Sequence, residues 1–196
     1  MRQGAIKSSF DIRGYDLYET PECATRALIE NENLPDYIWE PCAGRGAISR
    51  ILIESGYDVH TSDLVAYDNA DCGIITPVDF FEETKPPFIG DFAIVTNPPY
   101  KCADQFIRHA LTLCPKVIVL LRLMYQEGDK KSDIIDNYLS HIWLGRERLP
   151  MMHREGYEGS KLSKAAMPFA WFVFNRHYKK DGFVTRRISW KVNDAA

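Results

Sequence analysis

The 196-residue sequence has no Gly-Lys-Ser/Thr triplet, no C-x-x-C pair and no apolar run long enough to span a membrane. The first absence excludes a phosphate-cradling P-loop. The second, with only five scattered cysteines (Cys23, Cys42, Cys72, Cys102 and Cys114), argues against a disulfide framework or a zinc site. No metal is therefore expected, and the thiols read as small buried apolar groups in a reducing cytoplasm. The third absence argues against a membrane protein. The N-terminus also lacks the basic-then-apolar layout of a secretory signal, so cytoplasmic localisation is the expectation. There is no internal repeat and no clear linker. One domain spanning 1–196 is expected, with residues 1–14 as a loose arm.

Charge is ordinary in amount but uneven. The net value is −3, yet residues 146–196 carry 11 Lys/Arg against 5 Asp/Glu, which leaves about −9 for the remainder. An acidic body with a basic C-terminal part suits a polyanionic partner, and it suits a solvated basic surface equally well.

Against this background, Asn97-Pro98-Pro99-Tyr100 stands out. The preceding Phe92–Thr96 is β-branched and aromatic and is bounded by Gly90-Asp91, so it reads as a buried strand. Two prolines remove two N–H donors, and Pro98 keeps Asn97 out of the helical region. The result is a stiff shelf at a strand end, bearing one amide, bare carbonyls and one aromatic ring. Such a shelf suits the activation of an exocyclic or carboxamide amino group. Its two hydrogens can be accepted by the Asn97 side-chain oxygen and the Pro98 carbonyl, which exposes the nitrogen lone pair. Tyr100 can then stack on a planar substrate. The bland alternative is a Pro-rich turn with Tyr100 as a plug.

The rest of the chain supplies strand ends for that shelf to join. Thr20-Pro21 reads as an N-cap followed by the first position of a helix that runs to about Glu30. Tyr37-Ile38-Trp39 is a short strand leading into Glu40-Pro41-Cys42-Ala43-Gly44-Arg45-Gly46, followed by a helix with Ile48, Ile51, Leu52 and Ile53. Strand, glycine turn and helix form half of a nucleotide-binding βαβ unit, although there is no third glycine at dinucleotide spacing. Asp58–Asp63 is the next strand, and its terminal acid suits the two hydroxyls of a ribose. The competing reading is a cap on the segment that follows. Asp79, beside Phe80 and Phe81, suits an adenine amino group with a ring over the base, or is a loop acid next to two core rings. Further on, Asp104–Leu113 and Ser132–Leu139 read as helices. Lys116–Leu123, nearly all apolar, reads as a strand buried on both faces. Strands are also expected at His141–Leu149, Phe169–Phe174 and within Gly182–Val192. Residues 150–165 read as a mobile substrate loop. The sum is an α/β fold: a Rossmann-like three-layer sandwich with a mostly parallel sheet and a late antiparallel strand pair.

The glycine turn, Asp63, Asp79 and Asn97 are all expected at strand carboxyl ends, where ligands bind in such sheets. In this arrangement the chain resembles the class I S-adenosylmethionine-dependent amino-methyltransferases, and within them the small phage- and prophage-type DNA adenine-N6 enzymes. The resemblance spans roughly Tyr15 to Tyr178. It implies S-adenosylmethionine as cofactor and adenine N6 as methyl acceptor, with DNA preferred over RNA as the nucleic-acid substrate. Asn97, Pro98, Pro99 and Tyr100 match the catalytic motif. Glu40, Pro41, Cys42, Ala43, Gly44 and Gly46 match the cofactor loop, with Glu in the place usually held by Asp. Asp63 corresponds to the ribose acid, and Asp79 and Phe80 to the cofactor-adenine contacts. Tyr18, Thr20 and Pro21 correspond to the motif at the methionine end. Arg148, Arg154, Lys161 and Lys164 are candidate phosphate contacts, or solvated loop charges. Two alternatives accompany this reading: a protein glutamine N-methyltransferase, and a non-catalytic binding module that kept the fold.

Overall fold

The computed structural model describes residues 17–68, 70, 73–150, 167–179 and 181–191. The expected arm at 1–14 lies outside these residues, as does nearly all of the expected loop at 150–165.

The chain opens with α1 (Glu22–Asn31), β1 (Tyr37–Glu40), α2 (Ala47–Glu54) and β2 (Asp58–Thr61). A long connection leads to β3 (Phe92–Thr96), α3 (Ala103–Leu113) and β4 (Lys116–Arg122). Then come α4 (Ser132–Tyr138), β5 (Leu139–Gly145), β6 (Phe169–Asn175) and β7 (Val184–Ile188). The strands form one seven-stranded sheet in the order β2-β1-β3-β4-β6-β5-β7. The first four pair in parallel, which requires crossover connections between them. β6 inserts between β4 and β5, antiparallel to both. β7 runs parallel to β5 at the outer edge.

Burial follows from residue type. Every residue of β3 is buried, and β4 and β6 are buried except at one or both ends, because helices cover both faces. On one face Ala24 and Leu28 of α1 and Ile48 and Leu52 of α2 meet Ile38, Val95, Ile118, Leu120 and Trp171. On the other, Phe106, Ile107 and Ala110 of α3 and Ile134 of α4 meet Ile94, Val117, Val119, Phe172 and Phe174. Each fully buried side chain of this size stabilises by about 1.5–3 kcal/mol. The buried Trp171 indole also donates to the Ala24 carbonyl at 2.9 Å, which fastens α1 to the sheet without an orphaned N–H. The result is the expected three-layer α/β sandwich with a mostly parallel sheet.

Three local expectations are corrected. Thr20 is not the cap of α1. The helix begins at Glu22, extended Pro21 occupies the cap position, and no side chain caps the turn. Thr20 is thus one residue too early to reach the first free N–H groups. Asp79 does not end a strand. It caps a short 3-10 turn, Phe80–Glu82, within the β2–β3 connection, and its Oδ1 accepts from Phe81 N at 2.9 Å. The helix expected to include Leu139 stops at Tyr138, and the following strand ends at Gly145 rather than Leu149. Beyond Gly145 the chain folds back on residues 188–190, where Arg146 N donates to the Ile188 carbonyl at 2.8 Å.

Candidate active site

β1 delivers the loop Glu40–Gly46 to the carboxyl edge of the sheet. Gly44 (φ 58°) and Gly46 (φ 85°) both take the left-handed conformation that favours glycine. A Cβ on Gly44 would also stand 2.7 Å from Leu17 Cδ1. Gly46 is the cap of α2, so the loop ends on a helix N-terminus with its free N–H groups.

Asp63 holds this loop. Its Oδ2 accepts from Gly44 N at 2.7 Å and its Oδ1 from Val65 N at 2.9 Å. One carboxyl therefore staples the glycine turn to the segment beyond β2. The Asp63 backbone is fixed as well, donating to Ile75 O at 3.1 Å and accepting from Val78 N at 2.9 Å. Burial raises its pKa, and the N–H bonds from Val65 and Gly44 oppose that rise.

Glu40, the last residue of β1, is 1% exposed and accepts a hydrogen bond from the Ser49 hydroxyl of α2. Burial pushes its carboxyl up to about 8; the Ser49 bond opposes the rise and the charge of Asp63 adds to it. Glu40 is thus mostly a neutral acid at pH 7. Cys42, next in the loop, has its thiol raised well above the ordinary range by burial and then by the nearby Asp63 charge. It is not a thiolate nucleophile.

Asn97 leaves β3 on the opposite wall. Its Nδ2 donates to the Tyr18 carbonyl at 3.2 Å and to Thr20 Oγ1 at 3.1 Å. A backbone carbonyl only accepts, so these contacts fix which branch of the amide is nitrogen. Oδ1 is the other branch, and it is buried. Below it, Thr96 Oγ1 donates to the Cys42 carbonyl at 3.4 Å, linking the two loops.

These walls enclose a cleft of about 340 Å³, within the range usual for small-molecule sites. Among the residues singled out from sequence, Tyr18 and Thr20 line it on one side. Glu40, Pro41, Cys42, Ala43, Gly44, Asp63, Asp79 and Phe80 also line it. Asn97 and Pro99 complete it. Phe80 is held edge-on against Trp39 (5.3 Å between centroids) and tilted on Phe106 (4.6 Å). Pro21, Gly46, Pro98, Tyr100 and Arg148 are not lining residues. The Tyr100 ring lies 5.6 Å from Tyr18 and 6.0 Å from Phe169, with the Arg122 guanidinium 5.1 Å from its centroid. Arg148 is exposed. Arg154, Lys161 and Lys164 lie outside the described residues.

Several lining residues escaped the sequence reading. Leu64, Val65 and Tyr67 come from the stretch after Asp63 that looked merely irregular. Their signal was three large apolar side chains in an otherwise Asp/Asn/Gly-rich connection. Arg45, the residue between the two glycines, bonds Glu19 Oε1 at 3.3 Å and the Asp68 carbonyl at 3.1 Å. It straps the segment before α1 to the segment after β2, a role no local pattern announces. Among the described residues no group of His, Cys, Asp and Glu could hold a metal ion, and no helix is long and apolar enough to cross a membrane.

No model of a known protein family matches this sequence, and no curated protein matches it. Solved structures do. An RNA methyltransferase assigned in Pyrococcus horikoshii is 15% identical with TM-score 0.55, over 88% of this chain and 92% of that one. The 23S rRNA methyltransferase ErmE is 14% identical with TM-score 0.50, over 82% and 69%. A modification subunit of a type I restriction enzyme assigned in Vibrio vulnificus is 13% identical with TM-score 0.53 over 97% of this chain. The matched region is 50% of that subunit's length. The likeness is one of fold. The sheet and its flanking helices share the Rossmann-like fold of these structures, and the cleft lies at the carboxyl edge where such α/β sheets bind ligands.

Proposed function

We propose that this protein is an S-adenosylmethionine-dependent methyltransferase acting on an exocyclic amino nitrogen, adenine N6 in nucleic acid, with DNA preferred to RNA. The observation that carries this reading is the Asn97 amide. Its nitrogen is anchored by Tyr18 and Thr20, and it stands on the wall of the same cleft as the Asp63-stapled glycine loop.

The donor set fits the cofactor. The Gly44–Gly46 bend permits close backbone approach, Asp63 suits ribose hydroxyls, and Asp79 with Phe80 suits an adenine ring. When bound, S-adenosylmethionine supplies an electrophilic methyl group on a sulfonium that leaves without protonation. The protein's task is then positioning. Asn97 Oδ1 and the Pro98 carbonyl accept the two hydrogens of the target amine, which directs its lone pair into the cleft. The reaction needs no covalent enzyme intermediate: the N–C bond would form as the S–C bond breaks, and the methylated nitrogen would release one proton to water. Tyr100 sits just outside the cleft, where its ring stacks on the incoming base. In a duplex that base must first leave the stack. The neighbours named for RNA methylation and for a restriction-modification subunit support a nucleic-acid substrate.

The test is transfer of a labelled methyl group from the cofactor to plasmid DNA, to total RNA and to total protein. Label recovered as N6-methyladenine is the expected result. Label in protein glutamine would replace this reading with the carboxamide alternative. Cofactor binding with no transfer to any of the three would leave only a binding module.

A further inference from the structure

The sheet register places a row of cations, of which only Arg148 was singled out from sequence, on the edge that carries Asn97. Leu121 of β4 faces Ala170 of β6, Ala170 faces Leu144 of β5, and Leu144 faces Arg187 of β7. β7 is parallel to β5 and β4 is antiparallel to β6, so β4, β5 and β7 all end on the same side. Arg122 ends β4 and is exposed, with its guanidinium over the Tyr100 ring. Arg146 and Arg148 follow the end of β5 and are exposed. Arg186 and Arg187 lie near the end of β7 and are exposed, one on each face of this edge strand. Lys191 follows, also exposed.

The carboxylate within this row is engaged. Glu147 accepts from the Ser189 hydroxyl at 3.2 Å and from Trp190 N at 3.1 Å. The Arg186 guanidinium rests 5.5 Å from the Trp143 ring centroid. From β4 to β7 is three strand spacings, about 14 Å. Along one strand of a duplex that corresponds to about four nucleotides at 3.4 Å of rise each.

We infer that β7 and the end of β5 form a phosphate-backbone track that leads a nucleic-acid strand to Tyr100, with Arg186 and Arg187 as its outer anchors. The inference rests on the nucleic-acid reading above and names the surface that serves it. The track runs along the sheet edge beside the cleft, so it grips the strand flanking the target base without touching the cofactor.

The experiment is fluorescence anisotropy of the full chain with a labelled 20-bp DNA duplex and with RNA of the same sequence, across a series of salt concentrations. The variants are the double substitution Arg186→Ala with Arg187→Ala, and the charge-preserving pair Arg186→Lys with Arg187→Lys. The alanine pair should weaken binding about tenfold or more and lower the slope of log K against log salt by about 2. The lysine pair should keep most of that slope. Cofactor affinity and kcat at saturating nucleic acid should not change in either. Unchanged affinity and slope in the alanine pair would overturn the track. So would self-association of that variant with nucleic-acid binding intact, because the arginines would then merely guard an open sheet edge. A wild-type chain that binds nucleic acid through this row but transfers no methyl group to it would refute the proposed activity and leave the track standing.

Discussion

Asn97 Nδ2 and Thr20 Oγ1 lie 3.1 Å apart, joining two residues 77 positions apart in the chain. The Thr20 hydroxyl does not cap its own helix. It orients the amide that the proposed chemistry depends on. A Thr20→Val variant removes this acceptor, so the Asn97 amide should sample other rotamers. One such hydrogen bond is worth about 1 kcal/mol, so kcat should fall about three- to tenfold. Cofactor affinity, measured by calorimetry, should stay within about threefold. Asn97→Ala should abolish transfer with cofactor affinity again nearly intact. Wild-type turnover in Asn97→Ala would remove the catalytic assignment.

Asp63 ties the glycine bend to the segment carrying Leu64, Val65 and Tyr67. Asp63→Ala removes the acceptor for two backbone N–H groups along with the proposed ribose contact. Cofactor binding should weaken by about 1–3 kcal/mol. Asp63→Asn keeps one acceptor oxygen and should lie between wild type and alanine. Equal affinity in all three proteins by calorimetry would show that the loop does not need its staple.

The contrast between these two residues shows what could be read from sequence. Asp63 is legible as an acid about twenty residues past a glycine turn, but that signal suits a ribose and a cap on the following segment alike. The bond from Val65 N shows the cap, the bond from Gly44 N could not be read locally, and the ribose role is a proposal. The central strands were found because β3 and β4 are apolar throughout, as burial on two faces demands. Asn97 was found through its two prolines. Thr20 was placed in the cofactor site, but its hydroxyl was assigned to the wrong partner. Nothing in Thr20-Pro21 tells whether that hydroxyl bonds its own turn or a residue from a distant strand. Arg45 was invisible for the same reason, since its partners are set by tertiary approach. The parallel seating of β7 was equally hidden: period-2 patterning marks a strand but not its direction, and this one is exposed along most of its length.

Two buried glutamates should give stability opposite dependences on pH. Glu32, its side chain only 6% exposed, is surrounded by donors: His141 Nε2 at 2.6 Å, Trp143 Nε1 at 2.7 Å and Lys116 Nζ at 2.7 Å. Burial alone would raise its pKa, but the bonds from His141, Lys116 and Trp143 prevail and hold it at about 2. Its contribution is therefore present above the ordinary value near 4.5 and lost as pH falls toward 2. Glu40 is the reverse, with a folded value of about 8. Its contribution is complete below about 4.5 and lost as pH rises through 8. Urea unfolding of Glu40→Gln should match wild type near pH 5 and exceed it by at least about 1 kcal/mol near pH 9. Glu32→Gln should be less stable than wild type at neutral pH, with the gap shrinking in acid. Parallel pH curves for either variant and wild type would contradict the corresponding assignment.

The end of β5 is sealed by Trp190, and this sets a sharp steric test. The indole is 4% exposed and lies directly over Gly145, where an added Cβ would stand 1.6 Å from Nε1 and 2.1 Å from Cε2. No rotamer adjustment of Gly145 itself can relieve such an overlap, so the indole must leave or the two strands must part. Arg146 N–Ile188 O and Trp190 N–Glu147 hold the same corner, so displacing the ring strains the pairing of β5 with β7. Gly145→Ala should therefore cost about 1–3 kcal/mol by overpacking, read as a lower melting temperature together with a red-shifted tryptophan emission as the indole becomes wet. Trp190→Ala alone leaves a cavity and should also destabilise, by about 3–5 kcal/mol. In the Trp190→Ala background, however, adding Gly145→Ala should cost far less than it does in wild type, because the clashing partner is gone. Additive losses in the double variant would mean that Gly145 and Trp190 do not share this corner.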